Sequence, residues 1–222
     1  MWQALVAVVV GIPALYVLYT LLVMLRLAIE AWRLRAMCAP RGLRLEWSFF
    51  VMFPVDLEDP VTLDVKLVRG ERRFSFTVFR SMISDYRFTT VRVKPLVILK
   101  HLCGRVAIEP KADPGGYEAV YMPPDKVEIH TFGIEEMDAR YRLREETTKR
   151  NAPDNIALLC SAFRHPDVLT EMFAFGGSLA FQFGCMSVTP GSRDKPFLDG
   201  IEQVARLADA LDDAVKVSGP YR

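Results

Sequence analysis

Histidine and cysteine are scarce in this chain, with three of the first and four of the second in 222 residues. The cysteines, Cys38, Cys103, Cys160 and Cys185, lie far apart and form no CxxC pair. Structural zinc sites need closely spaced ligand pairs, and disulfide frameworks belong to shorter, loop-rich secreted chains, so neither is expected. Each cysteine sits in or beside an apolar run, where the thiol serves as a small hydrophobe. Also missing are GxxxxGK[ST] and GxGxxG loops, whose backbone N–H groups close around phosphates, and the GxSxG elbow that exposes a nucleophilic serine. Gly176-Gly177-Ser178 departs from that elbow and reads as a helix stop. There is no internal repeat and no low-complexity stretch.

The groups that remain for chemistry lack partners. His101 and Cys103 are two apart, which on a strand would put them on one face, but no second ligand pair follows at a suitable spacing. His130 alternates with Val127, Ile129 and Thr131 on the face opposite them, so exposure is expected. His165 precedes Pro166, where a turn or helix start is expected. Glu135, Glu136 and Asp138, and the pair Glu145-Glu146, sit in charged surroundings. General acid–base work needs a desolvated carboxyl with a displaced pKa, which such surroundings do not supply. No catalytic residue, cofactor or metal site is therefore expected.

What the sequence does have is a long uncharged start. From Met1 to Leu25 no side chain is charged, and VAVVVGIPALYVLYTLLVML is almost wholly apolar. Roughly 20 such residues in a helix cross the hydrocarbon core of a bilayer. Gly11 and Pro13 are tolerated in such a helix, although Pro13 frees a carbonyl that must be satisfied locally. Trp2 and Trp32 fall where interfacial aromatics belong, and Arg26, Arg33 and Arg35 follow the apolar run, Arg26 within reach of the headgroups. A cleaved signal peptide would want a basic start, a shorter apolar core and a small-x-small site. The reading is a transmembrane anchor over residues 1–38, its last turns running along the interface until Ala39-Pro40-Arg41-Gly42 stops them.

Charge sets a direction. The whole chain carries +1, but residues 1–44 hold five arginines against Glu30, which leaves −3 for the rest. With no basic residue before the span and five after it, the positive-inside rule puts the N-terminus outside and the following domain in the cytoplasm, at the inner (plasma) membrane. A mildly acidic domain lacks the cationic field that neutralises phosphate backbones, so nucleic acid is not an expected partner.

Residues 43–217 read as one α+β domain. Period-two alternation predicts strands through Leu45–Val51, Val61–Leu67 and Phe74–Val78, the last two joined by a hairpin at Arg69-Gly70-Glu71-Arg72. More strands are expected near Arg87–Val93, Arg105–Glu109, Tyr117–Tyr121, Lys126–Phe132 and Met137–Leu143, with Leu96–Cys103 either strand or short helix. Short connections favour a mainly antiparallel sheet. The period then changes. Ile156, Leu159, Cys160 and Phe163 follow helical spacing behind Pro153, and a second helix over Asp167–Phe175 ends at Gly176-Gly177. Leu179, Phe181, Phe183 and Cys185 alternate as a strand. A last helix over Phe197–Val215 turns Leu198, Ile201, Ala205, Ala208 and Leu211 inward.

Aromatics near charges, Trp47 and Phe50 in one segment and Phe79 beside Arg80 in another, mark a candidate docking surface. The plan of one N-out helix followed by a β-rich cytoplasmic domain is similar to that of the H subunit of photosynthetic reaction centres; that similarity of layout assigns no residue a role. The functional expectation is a non-enzymatic accessory or scaffold subunit of an inner-membrane complex, partnered by the lipid bilayer and by other integral membrane subunits. The alternatives are a membrane-tethered enzyme or a lipid- or small-ligand-binding domain.

Overall fold

The computed structural model describes residues 2–47, 62–79, 90–112, 122–191 and 197–219. The chain divides into two compact units, Met1–Leu45 and Glu46–Arg222.

In the first unit, helix α1 runs unbroken from Trp2 to Cys38, 37 residues that include Pro13. The apolar run and its arginine-bearing continuation are thus one helix. It closes in a 3-10 turn, Ala39–Arg41, and Gly42 takes the left-handed conformation at φ 68° that helix ends favour. The Leu43 N–H then bonds back to the Cys38 carbonyl at 3.2 Å. The span Val10–Arg41 is long and apolar enough to cross a membrane by length and composition.

The second unit is α+β, with a large antiparallel sheet and helices toward its C-terminal end. In chain order its elements are β1 (Arg44–Trp47, entering with Glu46 and Trp47), β2 (Thr62–Arg69), β3 (Arg72–Phe79), β4 (Val91–Lys94), β5 (Val106–Pro110) and β6 (Val127–His130). Then follow α2 (Glu135–Arg140), β7 (Tyr141–Glu146), α3 (Pro153–Ala162), α4 (Pro166–Phe175), β8 (Ser178–Gln182), β9 (Cys185–Thr189) and α5 (Phe197–Ser218). The strand order across the sheet is β1-β2-β3-β4-β9-β8-β5-β7-β6. The insertion of β9 and β8 between β4 and β5 makes the last hairpin the centre of the sheet.

Directly opposed residues share a face, so the registers sort the side chains into two sets. One row runs Phe74, Val93, Met186, Phe181, Val106, Glu145, Glu128, and the next runs Val91, Val188, Leu179, Ile108, Leu143, His130. Apart from their polar ends at β7 and β6, these rows are buried hydrophobics, and the helices cover them. The Tyr141 hydroxyl donates to the Met172 carbonyl of α4 at 3.4 Å, and its ring stacks on Phe173. Helix α5 lies against α3, α4 and β4, and its buried side chains include Leu198, Ile201, Ala205, Ala208 and Leu211, the face its spacing predicts. The opposite face is more polar: one row reads Ser75, Arg92, Ser187, Ala180, Ala107, Arg144, Ile129, and at its centre Ala180 and Ala107 are buried in a small apolar cluster with Met122.

The hairpin at Gly70-Glu71 pairs Arg69 with Arg72, as the turn signal predicts, and Gly70 has φ 59°. Three expectations need correction. Residues 135–140 form α2 rather than the start of a strand. The Asp138 carboxylate accepts the N–H groups of Phe132 (2.8 Å), Gly133 (3.0 Å) and Ile134 (3.3 Å), which nucleates a helical turn that alternation alone does not reveal. The alternating run Leu179–Cys185 is broken at Phe183-Gly184 into β8 and β9. His130 lies on the helix-covered face and is half-buried, whereas Ile129 points outward and is 66% exposed. The expected strand at Tyr117–Tyr121 lies outside the described residues, as does most of the segment expected at Leu45–Val51; of the segment expected at Arg87–Val93 the described end forms β4. Leu96–Cys103 resolves into a 3-10 turn over Val97–Lys100.

Candidate functional site

The strongest polar constellation gathers where β6 and β7 meet the loop before β5. Alternation along β7 places Tyr141, Leu143 and Glu145 inward. Glu145 is therefore a carboxylate only 3% exposed at the rim of an apolar face. Its Oε1 accepts the Asn151 backbone N–H at 2.7 Å and the Asn151 side-chain amide at 2.8 Å. Its Oε2 lies 2.9 Å from Nε2 of His130. Asn151 Oδ1 in turn accepts the N–H groups of Cys103 (2.7 Å) and Gly104 (2.9 Å). Gly104 is required there, because a Cβ would come within 1.8 Å of the Lys149 carbonyl oxygen. This network satisfies buried groups and fixes one loop to two strands.

Two other clusters have the same character. Arg72 donates to Asp209 (2.6 Å), to Asp212 (2.9 Å) and to the carbonyls of Pro95 and Ala208, while Asp212 also accepts the Val97 N–H. On the polar face Glu109 accepts two bonds from Arg144, at 2.8 and 2.9 Å, and one from Arg142 at 3.3 Å. Alternation along β7 places both arginines on that face, but the buried partner that neutralises them, Glu109, is invisible without the register. Among the described residues the buried side-chain atoms without a partner are Glu171 Oε2 and Ser187 Oγ, and no group of three His, Cys, Asp or Glu could hold a metal.

His101 and Cys103 do not converge on a shared site: the His101 carbonyl accepts from Asn155, and the Cys103 thiol donates to the Arg150 carbonyl at 3.2 Å. His165 Nε2 is 3.0 Å from the Ser218 hydroxyl, a contact between a loop and the end of α5 with no sequence signal. Burial pushes the Cys160 thiol up, with Asp138 adding to the effect and Arg164 and a backbone bond opposing it. Burial likewise raises Tyr141 against the pull of Arg140. Both groups therefore stay protonated and unreactive.

The residues expected at a membrane interface lie along α1. Arg26, Arg33 and Arg35 are exposed and Trp32 is 69% exposed; the Trp2 side chain lies outside the described set. Among the docking candidates Phe50 and Arg80 lie outside the described residues, as do the side chains of Trp47 and Phe79, which end β1 and β3. Along α1 an apolar surface is exposed: Val10, Ile12, Leu15, Val17, Leu18, Leu21, Leu22 and Leu25 all face outward. No family model, no curated protein and no solved structure matches the chain.

Proposed function

We propose that the chain is a membrane-anchored, non-enzymatic accessory or scaffold subunit of an inner-membrane protein complex. In this reading α1 crosses the bilayer with its N-terminus outside and packs laterally on other integral subunits. The α+β domain lies in the cytoplasm and makes docking contacts there. The observation that carries the reading is the exposed apolar surface of α1 from Val10 to Leu25. Left in water, eight or more large hydrophobic side chains would drive aggregation; in lipid they need no protein partner. A cleaved signal sequence would account for the apolar run, but not for its continuation as one helix through Arg26, Arg33 and Arg35 to Cys38. The non-enzymatic part is supported by the polar clusters of the domain, each committed to holding the fold.

The test is purification of the tagged full chain from its native membrane in mild detergent, with protease added to intact cells and to inverted vesicles. Co-purifying integral subunits and digestion of the domain only in inverted vesicles are expected. A lone monomer would remove the scaffold reading, and digestion from outside intact cells would reverse the orientation.

A further inference from the structure

Two features at one end of the sheet are costly to the fold. The first is the turn between β8 and β9. Phe183 and Gly184 have φ 50° and 69°, and Phe183 is the one non-glycine with positive φ among the described residues. Two-residue hairpin turns of this kind favour glycine, asparagine or aspartate at both positions, because a Cβ is crowded there. A phenylalanine accepts that strain normally in exchange for burial, yet Phe183 is 79% exposed. Its ring is met by the Arg105 guanidinium 4.7 Å from the centroid, and Arg105 also pairs with Glu146 at 3.3 Å.

The second feature is a group of cations on the polar face of the neighbouring strands. Arg73 and Lys94 are directly opposed, and Lys66, Ser75 and Arg92 form the adjoining row. Lys66, Arg73, Arg92 and Lys94 are all exposed, and among the described residues none of their side chains makes an ion pair or hydrogen bond. Directly opposed like charges in a sheet repel. Elsewhere on this face the protein neutralises its arginines, as Glu109 does for Arg142 and Arg144. Here the only acidic position in the same register of β2–β4 is Asp64. Both features share one end of the sheet: β3 starts at Arg72, β4 ends at Lys94, and β9, which pairs with β4, starts at Cys185 directly after the turn.

We propose that this end of the sheet rests on the anionic surface of a bilayer, with Phe183 in the interfacial layer and Lys66, Arg73, Arg92 and Lys94 against lipid phosphates. An exposed aromatic on a tip beside unpaired cations matches the two layers of such a surface, apolar below and negatively charged above. Nucleic acid fits less well, since the chain beyond residue 44 carries −3 and so lacks a general cationic field. The proposal rests on the membrane-anchor reading, which brings the domain within reach of the headgroups.

The test uses the full chain in nanodiscs of neutral lipid and in discs containing anionic lipid. Lysine reactivity toward an amine-acylating reagent is read by mass spectrometry. Lys66 and Lys94 should become about fivefold less reactive in anionic discs and recover at high salt. Lys111 and Lys216, exposed elsewhere, should not change. Phe183→Asn, which suits the turn, should fold and lose about half of the Lys94 protection. Equal reactivity in both discs overturns this proposal alone; a chain that enters neither disc overturns the anchor as well. Protection in neutral discs on adding inorganic phosphate or an oligonucleotide, without protection by anionic lipid, also overturns it.

Discussion

Glu145 and Asn151 meet twice, the carboxylate Oε1 accepting both the backbone N–H and the side-chain amide of the asparagine. Through the Asn151 Oδ1 the same residue holds the backbone of Cys103 and Gly104, so one carboxylate ties the end of β7 to the approach to β5. Deleting a buried acceptor leaves several donors unsatisfied at once. Glu145→Ala should lower stability by about 2–4 kcal/mol. Glu145→Gln keeps an oxygen for Asn151 and should cost about 1 kcal/mol. Urea denaturation of the detergent-solubilised chain, followed by circular dichroism, separates the two; equal losses would mean that the Asn151 contacts contribute little.

That arrangement shows what the sequence could and could not convey. The alternation Tyr141, Leu143 continues to Glu145 and so points the carboxylate inward, but a glutamate beside a second glutamate reads as solvated. Its partners come from β6 and from the loop at Asn151, and only the fold brings them together. Patterns carried within one segment were legible: the Gly70-Glu71 hairpin, the inward face of α5, the left-handed stop at Gly176. Signals that local hydrogen bonds override were not, as at α2, where Asp138 gathers three N–H groups. The run Leu179–Cys185 alternates in sequence across a turn, but the two-residue connection reverses the phase: Met186 shares the face of Leu179 and Phe181, while Cys185 lies opposite Gln182 on the other face.

Arg72 and Asp212 are 140 residues apart in sequence and 2.9 Å apart in space. Asp212 is buried, and it also accepts the Val97 N–H at 2.6 Å. Removing the guanidinium strands a buried carboxylate, so Arg72→Ala should cost about 3–5 kcal/mol. Asp209, the exposed partner, should matter far less: Asp209→Ala is expected to cost about 0.5 kcal/mol or less. The comparison of the two denaturation midpoints checks this, and a large Asp209 effect would contradict it.

The thiols should separate by accessibility and by proton affinity. Cys103 is exposed, whereas Cys160 is buried with its pKa raised above the ordinary 9.0. Iodoacetamide at neutral pH should modify Cys103 quickly and Cys160 only on unfolding. Because the folded state holds the Cys160 proton more tightly than the unfolded chain, this contribution to stability is complete below about pH 9 and is lost as the pH rises through the folded value. Tyr141, raised from 10.0 by burial, acts in the same direction at higher pH. Stability should therefore fall above about pH 9, and less steeply in Cys160→Ala. A flat profile from pH 8 to 10.5 would contradict both assignments.

Phe183 offers a test in which stability and surface function pull apart. At φ 50° its Cβ is crowded, a strain of about 1–2 kcal/mol that asparagine largely avoids through its local hydrogen bonds. Against this, Phe183→Asn loses the stacking of Arg105, about 0.5 kcal/mol at an exposed site. The net expectation is a gain of about 0.5–1 kcal/mol, seen as a higher denaturant midpoint with an unchanged slope. Glycine should gain less, since it gives up more chain entropy on folding, and Phe183→Val should lose stability because a β-branched side chain is crowded further at positive φ. If asparagine instead destabilises the domain, the phenylalanine is holding the turn in place, and its exposure no longer argues for a partner outside the chain.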